Sequence, residues 1–450
     1  MTPSRSTRAA GSGSQVITIR SVAAGGAQNV RILTGGRTYG QNWHLEQNFD
    51  FVRLIFMNDA GPGLVVGPVA IASSAYADAN PVRTDGTPAP MVPVTFANQG
   101  RDVALAEQIL ALANSRSKSS KVWSSSAADH TYAGLLTMPG VPNLSTSQVT
   151  WVPQLYFSDW IPVTSLPRGD GGTGCFLHTR AAVPIRRVGR GTIYNPELTG
   201  TLLAAADRGY EAFWQDGDAI SIPAPMTKDA RGLGLVYGVQ VLARVDGYVV
   251  QGVGDSIMQG VGSHGDFCGF GPRACARVSR ENVPVHWLQS ATGGSPSLAF
   301  FQAGLQDMKA GHVSVALIQT WSGNDFQHGM SVAEAQDVAD AGWQRAVAYG
   351  YATKAQGGVP VYVTAVPQRL RTSTPELDAT RLSTVARCHE LASRGELVLD
   401  LNSILGDGGA ASGVVDYKRD LSADAFHPND RGHDLVAGIL APMIESVVRS

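Results

Sequence analysis

Three residues of this chain, Ser256, Asp424 and His427, have the types and spacing that covalent chemistry requires. Gly254-Asp255-Ser256-Ile257 follows directly on an apolar run, Tyr248-Val249-Val250-Gln251-Gly252-Val253, and Asp424-Ala425-Phe426-His427 stands just ahead of a final helical pattern. A serine hydroxyl is a weak nucleophile until a base takes its proton, and an imidazole base needs a carboxylate to orient it. An Asp three residues before the His can reach back to its Nδ1 proton and set the tautomer. A strand, a turn and Ser256 at one end, with Asp-x-x-His at the other, form an arrangement for acyl transfer. His427 serves as general base and then as acid for the leaving group. The chain contains no G-x-S-x-G elbow, which argues against an ordinary α/β-hydrolase.

The elements that must position these residues follow from the rhythm of the sequence. From about residue 247, strand-like runs at 248–253, 283–288, 313–320, 359–365 and 397–401 alternate with helical patterns at 272–280, 297–309, 331–355, 375–394 and 429–448. Ser331 with Glu334 three residues on is a helix-start signal. Such alternation implies a five-stranded parallel sheet covered by helices on both faces, with ligands bound beyond the carboxyl ends of the strands. Ser256 falls at the end of the first strand and Asn324 just after the third, so both face one crevice. Residues 15–244 read differently, as short strands broken by Gly, Pro, Asn and Asp, which favours an antiparallel sandwich. Helices are expected at 103–113 and 200–210, a Ser-rich loop at 115–126 and a flexible tail over 1–14. The expected layout is a jelly-roll-like β-sandwich over 15–245 followed by a flavodoxin-like α/β/α domain over 246–450.

The C-terminal part resembles the SGNH (GDSL-type) hydrolases, and four blocks in order carry the resemblance. The first is Gly254-Asp255-Ser256-Ile257, with Ile where Leu is commoner. The second, which in the family supplies an oxyanion-hole glycine, is met by Gln289-Ser290-Ala291-Thr292-Gly293-Gly294-Ser295, with Gly294 the better match and Gly293 the alternative. The third, usually Gly-x-Asn-Asp, appears as Ser322-Gly323-Asn324-Asp325, with Ser322 replacing the first glycine. The last is Asp424-Ala425-Phe426-His427, followed by Pro428 and Asn429. The resemblance implies a Ser256–His427–Asp424 triad with an oxyanion hole made by the N–H groups of Ser256 and Gly294 and the side-chain amide of Asn324. A glycine at 294 suits a place where backbone must approach a ligand closely. Asp255 and Asp325 read as structural hydrogen-bonding residues. Trp321 and Phe326 flank the Asn324 turn, either as core or as walls of the acyl pocket.

A sandwich beside such a domain resembles the two-domain carbohydrate esterases, so the implied reaction is removal of short acyl groups, acetyl first, from a sugar or polysaccharide, without a cofactor. The other readings are a lipid or thioester hydrolase, and a carbohydrate-binding or virion-type structural protein whose hydrolase domain is residual.

Composition bounds the rest. At 450 residues the chain is long enough for two domains, and hydrophobic and charged residues at 44% and 16% are ordinary for a globular protein. A formal net charge of −2 and the lack of a basic run argue against nucleic acid or an anionic membrane as partner. No apolar stretch is long enough to span a bilayer, and the polar N-terminus has no secretory apolar core. Four cysteines do not make a disulfide scaffold; Cys268 and Cys275 either bridge a loop or stay as buried thiols. His264, Asp266 and Cys268 lack the spacing of a metal site and read as a loop, so no metal is expected. His286 and Trp287 read as core, and Cys388-His389-Glu390 as part of an amphipathic helix.

Overall fold

A computed structural model describes residues 247–449 apart from 265–267, 281–282, 292, 311–312, 327–328, 369–371, 410–412 and 423. Before residue 247 it describes the strands named below together with residues 68, 75–76, 79–91, 94–96, 158–160, 166, 217, 219–220, 224, 226 and 236. The expected helices at 103–113 and 200–210, the loop at 115–126, the tail over 1–14 and Asp266 lie outside the described residues.

The C-terminal part is built on five strands, β1 (Tyr248–Val253), β2 (Val285–Gln289), β3 (Val315–Gln319), β4 (Val359–Val363) and β5 (Leu397–Leu399). They pair in the order β2-β1-β3-β4-β5 with every neighbour parallel. The helices are α1 (Ser256–Gln259), α2 (Phe270–Val278), α3 (Ser297–Ala310), α4 (Val332–Ala355), α5 (Pro375–Ser393), α6 (Leu401–Leu405) and α7 (Asp430–Val448).

Alternation along the strands explains why helices cover both faces. Val249 and Val253 of β1, Ala316 and Ile318 of β3 and Tyr362 of β4 join one apolar cluster with Phe300 and Phe301 of α3 and Ala346 and Tyr349 of α4. Val250, Val315, Leu317, Val361 and Val363 point the other way, into a second cluster with Phe270 and Ala274 of α2 and Val436, Leu440 and Ile444 of α7. With side chains on opposite faces at successive residues, a strand rich in Val, Ile and Leu buries both sides only between two helical layers.

The helix starts are chemically specified. Ser331 and Glu334 form a reciprocal capping box at α4, Thr374 caps α5 ahead of Pro375, and the Asn429 side chain accepts from the N–H of Gly432 at α7.

Two large antiparallel sheets lie among the described residues of the first half. One joins Gln15–Arg20, Gly238–Ala243, Phe49–Asn58 and Gln154–Phe157, with Ile161–Pro162 also on Phe49–Asn58. The other runs Thr227–Lys228, Glu211–Asp216, Arg37–Leu45, Cys175–Val183, Val69–Ser74 and Val92–Pro93. Smaller sheets pair Thr192–Tyr194 with Val30–Ile32, and Leu64–Val66 with Leu135–Met138 and Thr131–Tyr132. Antiparallel pairing gives way to parallel between Ala243 and Tyr248. The apolar cluster that holds α3 and α4 continues without a break to Tyr39, Val52, Leu54 and Val239 of the N-terminal sheets.

Candidate active site

The strand order β2-β1-β3 reverses direction across β1, and in open parallel sheets the crevice at such a reversal, beyond the strand ends, is where ligands bind. Ser256 is the first residue of α1, immediately past the end of β1. Asp255 holds it there: its Oδ1 accepts from the N–H of Ile257 at 2.9 Å and caps the short helix, while Gly260 closes the helix in the left-handed region at φ 96°.

His427 arrives from the other end of the chain. Its Nε2 lies 2.9 Å from Ser256 Oγ and its Nδ1 lies 2.7 Å from Asp424 Oδ2. The turn that presents it is unusual, because Ala425 adopts a left-handed φ of 56°. That conformation costs an L-residue about 1 kcal/mol. Asp424 Oδ1 offsets the cost by accepting from the N–H groups of Phe426 at 2.9 Å and His427 at 2.7 Å. One carboxylate thus shapes the turn with one oxygen and orients the imidazole with the other. Partial burial pushes the Asp424 carboxyl up, but the hydrogen bonds from His427 and the two N–H groups outweigh it and hold the group below the usual carboxylate range.

The loop after α1 supports His427 from the far side. Gly262 sits at φ 92°, and a Cβ there would stand 2.3 Å from the carbonyl oxygen of Pro428 and 3.1 Å from His427 Cβ. Only glycine allows that approach. His433 of α7 fastens the same loop, its Nε2 lying 3.2 Å from the carbonyl oxygen of Val261. Burial lowers its imidazole to about 4, so the ring is neutral near pH 7 and its Nε2–H is the donor.

The end of β3 and the turn after it converge on Asp255. Its Oδ2 accepts from Ser322 Oγ at 2.7 Å and lies 3.4 Å from Asn324 Nδ2, and its N–H donates to Gln319 Oε1 at 3.0 Å. Asn324 Nδ2 also lies 3.3 Å from the carbonyl oxygen of Ser295. Burial pushes the Asp255 carboxyl up against these hydrogen bonds. Ser322, in the position where a glycine is usual, has extended backbone at φ −125°, and its hydroxyl also accepts from the N–H of Asn324 at 3.2 Å. The substitution therefore adds a link and needs no glycine geometry.

Of the two candidate glycines, Gly293 donates its N–H to Gln259 Oε1 at 2.7 Å. Gly294 is exposed at φ 72°, has open space where a Cβ would stand, and its N–H has no hydrogen bond among the described residues. Trp321 and Phe326, expected as core or pocket walls, are 3% and 5% exposed with ring centroids 3.9 Å apart. They pack with Ala335, Ala339, Ala365 and Val385 beneath the Asn324 turn. Asp325 anchors that turn to α3 by accepting from the N–H of Ser297 at 2.9 Å.

His264 pairs with Asp430 at 2.7 Å on the rim, where Arg273 also binds the same carboxylate. Among the described residues no cluster of three metal-ligating side chains occurs, and Cys268, Cys275 and Cys388 are buried and not in disulfides. No described helix is long and apolar enough to cross a membrane.

The amides of Gln259, Gln289 and Gln319 tie these segments together. Single glutamines in or beside the motif blocks carry no spacing signal in the sequence.

Residues 253–435 match the model of the GDSL-like lipase/acylhydrolase family. Among solved structures, the chain is similar to a G-D-S-L-family lipolytic protein from Desulfitobacterium hafniense DCB-2, at 15% identity over 43% of this chain and 98% of that one, with a TM-score of 0.34. It is also similar to the lipase/acylhydrolase of Enterococcus faecalis, at 18% identity over 44% and 96% of the two chains, with a TM-score of 0.30. An esterase from Pseudoalteromonas sp. aligns at 15% identity over 45% and 99%, with a TM-score of 0.33. No curated protein sequence matches the chain.

Proposed function

Residues 253–435 being an SGNH (GDSL-type) hydrolase segment, and so of carboxylic-ester-hydrolase type, we propose that this chain is a serine esterase acting through an acyl-enzyme on Ser256. The observation that carries the proposal is the continuous chain from Ser256 Oγ to His427 Nε2 at 2.9 Å and from His427 Nδ1 to Asp424 Oδ2 at 2.7 Å. Ser256 Oγ attacks the ester carbonyl while its proton passes to His427 Nε2. Asp424 keeps the other imidazole proton on Nδ1 and stabilises the imidazolium. The tetrahedral oxyanion takes hydrogen bonds from the N–H groups of Ser256 and Gly294 and from Asn324 Nδ2. Collapse breaks the bond to the alkoxy oxygen, which leaves as the alcohol with the proton from His427. Water, deprotonated by the same ring, then attacks the acyl-enzyme and returns Ser256 and a free carboxylic acid.

Short acyl groups, acetyl first, are the proposed substrates. Gly293 lies against Ser256 and Gln259, and Asn324 touches Asp255 beside Ser256, while the aromatic pair Trp321 and Phe326 is packed into the core. Small and polar surroundings support a small acyl group. The sugar part of the proposal rests on the layout. Buried residues of both large N-terminal sheets, Tyr39, Trp43 and Leu177 of one and Val52, Phe56 and Val239 of the other, lie in one cluster, which supports a face-to-face sandwich beside the catalytic segment.

A series of aryl esters from acetate to octanoate, run beside acetylated glycans, tests the assignment. The acetate is expected to exceed the octanoate in kcat/KM by at least about tenfold, with acetate released from the glycan. Preference for the longer chain would contradict it.

A further inference from the structure

We infer that Gln259 is a positioning residue for the oxyanion hole, holding Gly293, and through it the adjoining Gly294, in register with the nucleophile. The inference rests on the serine esterase reading above. Gln259 is the last residue of α1, three positions after Ser256 and so on the same side of the helix, and it is 7% exposed. Its side-chain Oε1 accepts from the N–H of Gly293 at 2.7 Å. Its backbone carbonyl accepts from Gln289 Nε2 at 3.1 Å, and Gln289 Oε1 in turn accepts from Trp287 Nε1. Helix α1, the end of β2 and the loop after it are therefore laced together by three successive polar contacts through Gln259 and Gln289.

The contact is also close. A Cβ built on Gly293 would stand 2.6 Å from Gln259 Oε1 and 3.7 Å from Ser256 Cβ, so the Gly293 peptide lies against the nucleophile with the glutamine as its backstop. By taking the N–H of Gly293, Gln259 fixes where Gly293 sits and leaves the next N–H, of Gly294, which has no hydrogen bond among the described residues, as the donor. Gly294 at φ 72° has no side chain to hold it and nothing within 4 Å of its Cβ position, so the direction of its N–H depends on how Gly293 is held. An oxyanion donor is effective only when its direction is set before charge develops. Gln259 supplies that setting from the same helix that carries Ser256, so donor and nucleophile move as one body.

The test uses the full chain. Gln259→Met keeps the volume and removes the acceptor. It is expected to lower kcat by roughly 10–100-fold, the range for a misdirected oxyanion donor, with KM within about threefold of wild type. An alkylboronic acid forms a tetrahedral adduct with a reactive serine and so depends on the same donors. Its inhibition constant is expected to rise by a similar factor, which a general loosening of the fold would not produce without raising KM. A kcat within about twofold of wild type, or an unchanged boronate constant, would overturn the inference.

Gly293→Ala, alone and combined with Gln259→Ala, keeps the question decidable should the methionine variant not fold. The alanine methyl clashes with Gln259 Oε1, so the double variant is expected to lose at least about fivefold less than the product of the single losses. Independent, multiplicative losses would sink the idea. Wild-type protein with no esterase activity would instead count against the serine esterase reading, so the two failures are distinguishable.

Discussion

At the scale of single residues, Asp424 and Asp255 divide the work of building the site. Asp424 faces the solvent side, where hydrogen bonds from His427 and the turn keep it ionised as the imidazole's counter-charge. Asp255 is buried, and it gathers the nucleophile helix, Ser322 and Asn324 onto one carboxylate. Asn324 Nδ2 lies at the long end of hydrogen-bond distance from both Asp255 and Ser295, so it can turn a proton toward an oxyanion at small cost. Asn324→Ala is expected to lower kcat by roughly 10²–10³-fold with a smaller change in KM, because the amide matters most once charge has developed. Steady-state kinetics decide the point: a loss confined to KM would make Asn324 a substrate-positioning residue instead. The meeting of Ser256 with His427, and of Asn324 with Asp255, was legible because their motif blocks fall at strand ends or before a helix. The contact of Gln259 with Gly293 was not, since a hydrogen bond between residues 34 positions apart leaves no periodic trace.

At the scale of elements, the site depends on how turns are fastened to helices. The short turn Gly323–Asp325 is tied to the start of α3 by Asp325, whose carboxyl is pushed up to about 6. Burial is the main cause, opposed by the side chain and N–H of Ser297 and by the Arg345 charge. The folded protein therefore holds a proton on Asp325 that the unfolded chain releases near the ordinary carboxylate value. Stability from this group is present at low pH and is lost as pH rises through about 4 to 6. Asp325→Asn keeps an oxygen for Ser297 and does not titrate. Its melting temperature, taken relative to wild type, is expected to rise between pH 4 and pH 7. A difference that stays flat or falls across that window would contradict the account.

The parallel sheet was legible at this scale because β1, β3 and β4 are runs of apolar residues between capped helices. The strand Arg37–Leu45 was not, although it lies near the middle of its sheet. Its buried Thr38, Gln41 and Asn42 look like a loop in sequence, yet each is satisfied by a partner distant in the chain. Thr38 Oγ1 donates to the carbonyl of Gly217, Gln41 Nε2 donates to that of Val236, and Asn42 Oδ1 lies 2.6 Å from His178 Nδ1.

At the scale of the whole molecule, the continuous apolar cluster from Tyr39 and Val52 to Val249, Leu288 and Phe300 makes the two halves partners in one core. The N-terminal strand Gln15–Arg20 lies against β2, on the sheet edge nearest the loop that carries Gly293 and Gly294. Residues 245–450 expressed alone would expose that shared surface. The truncated chain is expected to melt several degrees below the full chain, or to aggregate. Where it stays soluble, it is expected to lose more activity on an acetylated polymer than on a small aryl acetate. Equal melting temperatures together with equal rates on both substrates would show that the halves are independent. The transition from antiparallel to parallel rhythm was visible in the sequence, whereas the shared core was not, because contacts between distant apolar residues cannot be read from the order of those residues.

The central claim is that Ser256 is the nucleophile of an ester hydrolase, and reaction with a fluorophosphonate followed by peptide mapping tests it most directly. A fluorophosphonate phosphonylates a serine only where a neighbouring base and a formed oxyanion hole activate it. Wild-type protein is expected to carry one phosphonyl group on the peptide containing Ser256, with esterase activity lost in step with labelling. The folded Ser256→Ala variant should take up no label and fall on the order of 10⁴-fold or more in kcat. Label on a different serine, or a Ser256→Ala protein within about tenfold of wild-type turnover, would contradict the account.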